Sequence, residues 1–277
     1  MKKENNGFTT WEKAVLWLKE QPECLELVRS CYYDDPLSES ASRFYNSTEW
    51  SAVREELSFK PKGTALDLGA GRGISSYALA RDGWKVTALE PDTSEIVGTG
   101  AIRALCAQAG LKIEIVEAFA EKLPFADCAF DLVYVRQALH HAADLEKFCR
   151  EVFRILKNDG IFIATREHVI SCKKDLKAFL EGHPLHKYYG GENAYTLGEY
   201  KSAFSKSGLK VKKILNAYES DINLFPVEIK NLKNKIKTII KNAVKISPPD
   251  FLVNFALYTM GRIDKRPGRL YTFILKK

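Results

Sequence analysis

Two carboxylates, three glycines and five histidines are the residues of this chain whose types and spacing suit them to chemistry. Asp67 lies near the end of the apolar run Thr64 to Leu68, and Gly69, Gly71 and Gly73 follow it at every second position. Glycine takes positive φ without a Cβ penalty and lets bare backbone approach a ligand. The stretch therefore reads as a cofactor loop at the carboxyl end of a first parallel strand. Glu90 closes the next apolar run, nineteen residues beyond Gly71, where an acid can accept both hydroxyls of a ribose.

Charge narrows the cofactor. A dinucleotide fingerprint needs a third glycine at position 74, which here is Ile74. Asp67, just before the loop, would repel a pyrophosphate but favours an ammonium and a nearby sulfonium. That combination suits S-adenosylmethionine. Methyl transfer from a sulfonium is an in-line displacement, so the protein aligns the nucleophile and excludes water, and a base is needed only where the nucleophile must lose a proton.

The histidines all fall between positions 140 and 186, namely His140, His141, His168, His183 and His186. His168, with Glu167 beside it, leaves a fifth strand and is the expected general base, while His141 competes for that role from the end of the fourth. His183 and His186 are spaced for a metal but show no third ligand in the sequence, so no metal is expected.

These residues need a frame to hold them. From Lys62 onward, strand patterns near 64–68, 85–89, 112–116, 130–135 and 160–165 alternate with helical patterns near 74–82, 93–109 and 144–157. Such alternation predicts an α/β fold, a doubly wound Rossmann-like seven-stranded sheet with helices on both faces. An N-terminal helical cap is expected over 1–60 and the cofactor-binding domain over 61–277. Within the latter, a lid spans 166–195 and a helical insertion, 218–268, precedes the last strand, 269–276. In the cap, the helical spacing of 11–31 breaks at Pro22, and aromatic-rich helices follow.

With those motifs in place, the chain resembles the class I S-adenosylmethionine-dependent methyltransferases, in particular the small-molecule branch that includes quinone-biosynthesis enzymes. The resemblance runs from about Lys62 to Arg166 through LDLGAGRG, ALEPD, AEKLPFADCAFDLVYVRQALHH and EVFRILKNDGIFIAT. It implies a cofactor site built from Asp67, Gly69, Ala70, Gly71, Gly73, Glu90, Pro91, Phe119, Ala120 and Arg136. One position departs from the pattern: relatives often carry an acid beside the adenine where this chain has Phe119, which would pack on the ring while the Ala120 amide donates. By the same resemblance the cap and lid cover the acceptor, with Tyr32, Tyr45, His140, His186, Tyr189 and Asn193 as contacts. The stretch YYGGENAY is similar to lids of polysaccharide-pathway methyltransferases and favours a lipid-linked glycan or other small-molecule acceptor, methylated on oxygen. A quinone or prenylated ring compound is the alternative.

The formal charge of +7 suggests an acidic partner without naming one. Much of it is local, since no acid falls between Glu228 and Asp250 while six lysines do. In that stretch Ile229, Leu232, Ile236, Ile239 and Ala243 share one helical face, with lysines opposite, a pattern suited to an anionic membrane surface. A nucleic-acid methyltransferase or RNA-binding protein is a rival on charge alone. It is disfavoured because Val135-Arg136-Gln137-Ala138 stands where base methyltransferases carry an acid-or-Asn-Pro-Pro-aromatic motif. A non-catalytic binding module is disfavoured by the intact loop and acids. The six cysteines form no C-x-x-C pair, the first residues lack an apolar leader, and no apolar run nears a membrane span of about 20 residues. A cytoplasmic protein, peripheral to a membrane at most, is the expectation.

Overall fold

The computed structural model describes residues 10–120, 122–183 and 185–277. The expectation about a leader in the first residues, Glu121 within the quoted AEKLPF motif, and Pro184 between His183 and His186 lie outside them. The described residues begin with four α-helices: α1 (Trp11–Glu20), α2 (Leu25–Ser30), α3 (Leu37–Tyr45) and α4 (Thr48–Leu57). Thr10 and Ser47 cap α1 and α4 by accepting from Lys13 N and Trp50 N. The break expected at Pro22 is a 3₁₀ turn, Pro22–Cys24.

The alternating core follows as β1 (Thr64–Leu68), α5 (Ile74–Arg81), β2 (Lys85–Leu89), α6 (Thr99–Ala109), β3 (Glu114–Val116), β4 (Phe130–Arg136), α7 (Leu145–Ile155) and β5 (Leu156–Ile170). Beyond it lie α8 (Asp175–Gly182), α9 (His186–Tyr189), β6 (Tyr195–Thr196), α10 (Leu197–Ser207) and β7 (Lys210–Leu215). The chain ends with α11 (Asp221–Leu224), α12 (Ile229–Val244), α13 (Asp250–Ile263) and β8 (Arg269–Lys276). The main sheet runs β3-β2-β1-β4-β5-β8-β7, with the two-residue β6 pairing on β5. β1 to β5 are parallel and β8 is antiparallel to both its neighbours. This is the doubly wound sheet the alternation predicts.

Both faces of the sheet are covered. On one, Phe148 and Val152 of α7 and Tyr200 and Phe204 of α10 pack with Phe162 and Phe273. On the other, Phe44, Trp50 and Leu79 from α3, α4 and α5 pack with Tyr134, Ile161 and Ile163. The N-terminal cap is therefore continuous with a sheet face, with Trp50 and Phe44 fully buried.

Two boundaries differ from expectation. α6 starts at Thr99 rather than near 93, because Asp92 and Ser94 side chains accept from Ser94 N and Ile96 N and so hold a turn in place of the first helical bonds. β5 runs on to Ile170, so the first five residues of the expected lid are strand, paired Glu167 to Tyr271 and His168 to Leu270. A register shift between Ala164 and Glu167, with Arg166 at φ 58°, turns the end of this strand.

Candidate active site

The loop after β1 takes the conformation its glycines permit: Gly69, Gly71 and Gly73 have φ of 75°, 53° and 82°. A Cβ on Gly69 would lie 2.7 Å from the Ala138 Cβ, whereas one on Gly71 would meet nothing within 4 Å. Gly69 thus lets the β4 loop close on the β1 loop, and Gly71 faces open space. Glu90 buttresses this arrangement, its Oε2 accepting from Gly71 N at 2.7 Å and its Oε1 from Asp92 N at 3.0 Å. Burial pushes its pKa up, and the two amides oppose that.

Asp67 is only 1% exposed and lies beneath the loop rather than at its surface. Ser75 and Ser76, at the start of α5, donate to its Oδ2 at 2.7 and 2.5 Å, and its enclosed Oδ1 has no partner among the described residues. Burial pushes this carboxyl up to about 6, and a cation held over the loop favours its charged form. Pro91 and Phe119 are exposed, Phe119 by 72%, so its ring is free to cover a ligand's apolar face. Ala70 is buried in the loop and Ala120 is half-buried after Phe119.

Arg136 is committed elsewhere. Its Nε and Nη2 donate to Glu49 Oε1 and Oε2 at 2.7 and 3.0 Å, and its Nη1 donates to Gln137 Oε1 at 3.1 Å. The guanidinium lies 5.4 Å from the Tyr32 ring centre and 5.2 Å from that of Phe44. The expectation that Arg136 faces the cofactor is corrected: it joins β4 to the cap. Arg166 Nη1 approaches the same Glu49 carboxylate at 3.9 Å and donates to the Ile222 and Phe225 carbonyls. Arg72, inside the glycine loop, fastens it to the cap through Tyr32 O, Asp34 O and Asp35 Oδ1.

The histidines gather beyond the ends of β4 and β5. Glu167 pairs with His140, not with its chain neighbour His168: Oε2 is 2.7 Å from His140 Nδ1 and accepts from His140 N at 2.9 Å. Across the cluster, His140 Nε2 lies 3.5 Å from Glu192 Oε2. Burial works against a charged His140, but the two carboxylates outweigh it and push the imidazole up to about 9. His168 Nδ1 donates to Gly268 O at 2.9 Å, and burial together with the His140 charge pushes it down to about 3. The supported pair Glu167–His168 anticipated from adjacency is thus replaced by Glu167–His140. His141 Nδ1 donates to Gly191 O at 3.0 Å, and burial with the His140 charge lowers its pKa.

The cap and the lid meet over this region. Trp17 lies 4.8 Å from Tyr188 and Trp11 5.6 Å from Tyr189, ring centre to ring centre, so α9 docks on α1. His186 Nδ1 is enclosed without a partner among the described residues, and Asn193 is half-buried beside Glu192. Tyr32 is buried, with its hydroxyl unpartnered among the described residues. Tyr45 is not brought to the site: it packs under Arg54 and against Tyr77, where Arg54 holds Asp82 at the far end of α5. Sequence reading missed Glu49, Arg72, Arg166 and Glu192. Of these only Glu192 carried a local signal, an acid directly after two glycines and a few residues beyond the His183–His186 pair.

A glycine loop at the end of β1 and an acid at the end of β2, beside the crevice where the strand order reverses between β1 and β4, define an enzyme of the doubly wound, nucleotide-cofactor type. The methyltransferase domain family matches residues 66–164. A ubiquinone biosynthesis O-methyltransferase of Rickettsia prowazekii is 31% identical over 190 residues, 69% of this chain and 68% of its own length. A dimethylglycine N-methyltransferase of Parasynechococcus marenigrum is 38% identical over 105 residues, 37% of each chain. Among solved structures, a putative sarcosine dimethylglycine methyltransferase from Galdieria sulphuraria superposes with a TM-score of 0.56 at 21% identity. It covers 88% of this chain and 91% of its own. Against three of the curated relatives the chain spans 38%, 37% and 52% of their length. The chain belongs to the class I S-adenosylmethionine-dependent methyltransferases, whose cofactor is S-adenosylmethionine. No helix among the described residues is long and apolar enough to cross a membrane.

Proposed function

We propose that this chain methylates a hydroxyl oxygen of a small-molecule acceptor held between the glycine loop and the cover formed by α1, α9 and Gly190 to Ala194. The cofactor supplies a methyl group on a sulfonium. The observation that carries the reading is His141. Because Gly191 O can only accept, His141 Nδ1 bears the hydrogen and Nε2 keeps a lone pair. The side chain is 41% exposed, so an acceptor can reach it. An amine with its own lone pair needs no such base, whereas a hydroxyl must shed a proton as its oxygen bonds to carbon. None of the relatives compared above is named for a glycan. We therefore favour a small hydroxyl compound, a prenylated ring phenol before a lipid-linked glycan.

Cofactor binding rests on Asp67, Gly69, Gly71, Gly73 and Glu90. Removing the Glu90 carboxylate takes away a charged acceptor worth roughly 1.5–3 kcal/mol. Glu90→Ala should therefore bind S-adenosylhomocysteine roughly ten- to a hundredfold more weakly by isothermal titration. Parent-like affinity in that variant would show that the ribose is held elsewhere. A screen of hydroxyl acceptors with methyl-labelled cofactor tests the transfer itself, and labelling of amines alone would overturn the oxygen assignment.

The insertion supports a surface contact for the same enzyme. No residue of α12 is buried, and Ile239, Phe251, Phe255 and Ile263 are each more than 60% exposed. Exposed apolar side chains on α12 and α13, together with the lysines of α12, suit a surface carrying negative charge. The chain should sediment with anionic vesicles at low salt and less so at high salt, as screening weakens the lysine contribution. If it stays in the supernatant at both salt concentrations, the insertion has no lipid role.

A further inference from the structure

Three side chains from distant parts of the sequence turn ligand atoms toward one point beside the proposed base. His140, from the turn after β4, His168, from the end of β5, and Glu192, from the lid, present one donor atom each, all within 4.8 Å of one another. The remaining nitrogens are already engaged. His140 Nδ1 is held by Glu167, and His168 Nδ1 donates to Gly268 O, which leaves Nε2 of each ring to face the cluster. Metal-binding histidines show this outer arrangement, one ring nitrogen fixed by a carboxylate or a backbone carbonyl and the other on the ion. His183 stands beside them, its ring 5.2 Å from that of His168. Its enclosed Nδ1 has no hydrogen-bond partner among the described residues and lies 3.9 Å from Glu192 Oε1.

From this geometry we infer that His140, His168 and Glu192, with His183 adjacent, form a binding site for a divalent first-row transition-metal ion. Two imidazoles and a carboxylate are a donor set that zinc, iron(II) or cobalt(II) accepts, with open positions left for water or a further ligand. Ligand atoms about 2.0–2.2 Å from such an ion sit roughly 3.3–3.5 Å apart in a tetrahedron. The His140 Nε2 to Glu192 Oε2 separation of 3.5 Å already meets that. Closing a separation of 4.8 Å to that value needs a relative movement of about 1.3–1.5 Å. Charge agrees: an ion of charge +2 among neutral imidazoles would offset the carboxylates of Glu167 and Glu192, now bridged by His140 alone. Because Glu192 is the ligand from the lid, an ion here would fasten that segment to the ends of β4 and β5. The site stands on different residues from the cofactor loop and from His141, so it does not depend on which acceptor the enzyme takes.

The test is titration of the chelator-stripped full chain with Co²⁺, followed by absorbance, and displacement by Zn²⁺. One Co²⁺ per chain is expected, with visible bands that Zn²⁺ abolishes. Glu167→Gln, which removes the charge behind His140 while keeping a side-chain oxygen that can accept from the Ala138 and His140 amides, should weaken binding about 10–100-fold. His168→Ala and Glu192→Ala should each weaken it at least as much. S-adenosylhomocysteine titration on the same samples reports separately on the cofactor site and on folding. Should His168→Ala fail to fold, Glu192→Ala decides alone, because it lies on the covering segment outside the sheet. Absence of stoichiometric binding in the parent, or binding undiminished in Glu192→Ala, overturns the site.

Discussion

Glu49→Ala should lower the stability of the folded chain by about 3–5 kcal/mol, because it strands two arginines in the interior. The Glu49 side chain is fully buried, and those of Arg136 and Arg166 are 10% and 13% exposed. With the carboxylate gone, Arg136 keeps only Gln137 Oε1 and the faces of Tyr32 and Phe44, and Arg166 keeps two carbonyls. Neither set neutralises a charge. A loss of that size is a large part of the ~5–15 kcal/mol by which a domain is stable. Urea denaturation of the parent and variant measures it. Arg136→Met added to Glu49→Ala should recover part of the loss, since one of the unpaired charges leaves with it. A loss under about 1 kcal/mol would mean that both guanidinium groups reach water, and the ion cluster would then not be what holds the cap on β4.

That cluster also marks where sequence reading stops. The strand from Thr64 to Leu68, the glycine loop and Glu90 were legible because their signals are local: an apolar run, positive-φ residues and an acid at a strand end. β8 was legible for the same reason. Glu49 and Arg136 are 87 positions apart, and nothing in either's neighbourhood announces the other. Arg136, standing in a family motif, therefore read as a cofactor residue. The extension of β5 past Thr165 is set by its ladder with residues 269–271, about a hundred positions on. Adjacency misled at Glu167, because the turn in the strand at Arg166 puts its carboxylate on His140 while His168 reaches Gly268. Helical patterning misled at 93–98, where short polar side chains outcompete the backbone. The histidine cluster was legible as a composition and not as an arrangement, since Glu192 enters it only when the lid folds over.

The largest effect on turnover is expected at His141. His168 looks equally placed at a strand end. In the folded chain, however, it is ringed by His140 at 4.6 Å, Phe179 at 4.8 Å and His183 at 5.2 Å between ring centres, and is only 8% exposed. An acceptor oxygen must come within about 2.6–3.2 Å of the base that takes its proton, and that wall leaves little room for one. His141 is open on one side and fixed on the other, with the hydrogen on Nδ1 held by Gly191 O. A positioned base contributes about 10²–10⁴-fold, so single turnover of a hydroxyl acceptor should fall by that factor in His141→Ala, with S-adenosylhomocysteine affinity intact. Added imidazole should restore part of the rate, because the vacated side opens to solvent and a small base can enter. A side chain that only supports the lid would give no such rescue. Near-parent turnover in His141→Ala beside a collapse in His168→Ala would return the base to β5. Parent rates in both variants would mean that the acceptor loses its proton without a histidine.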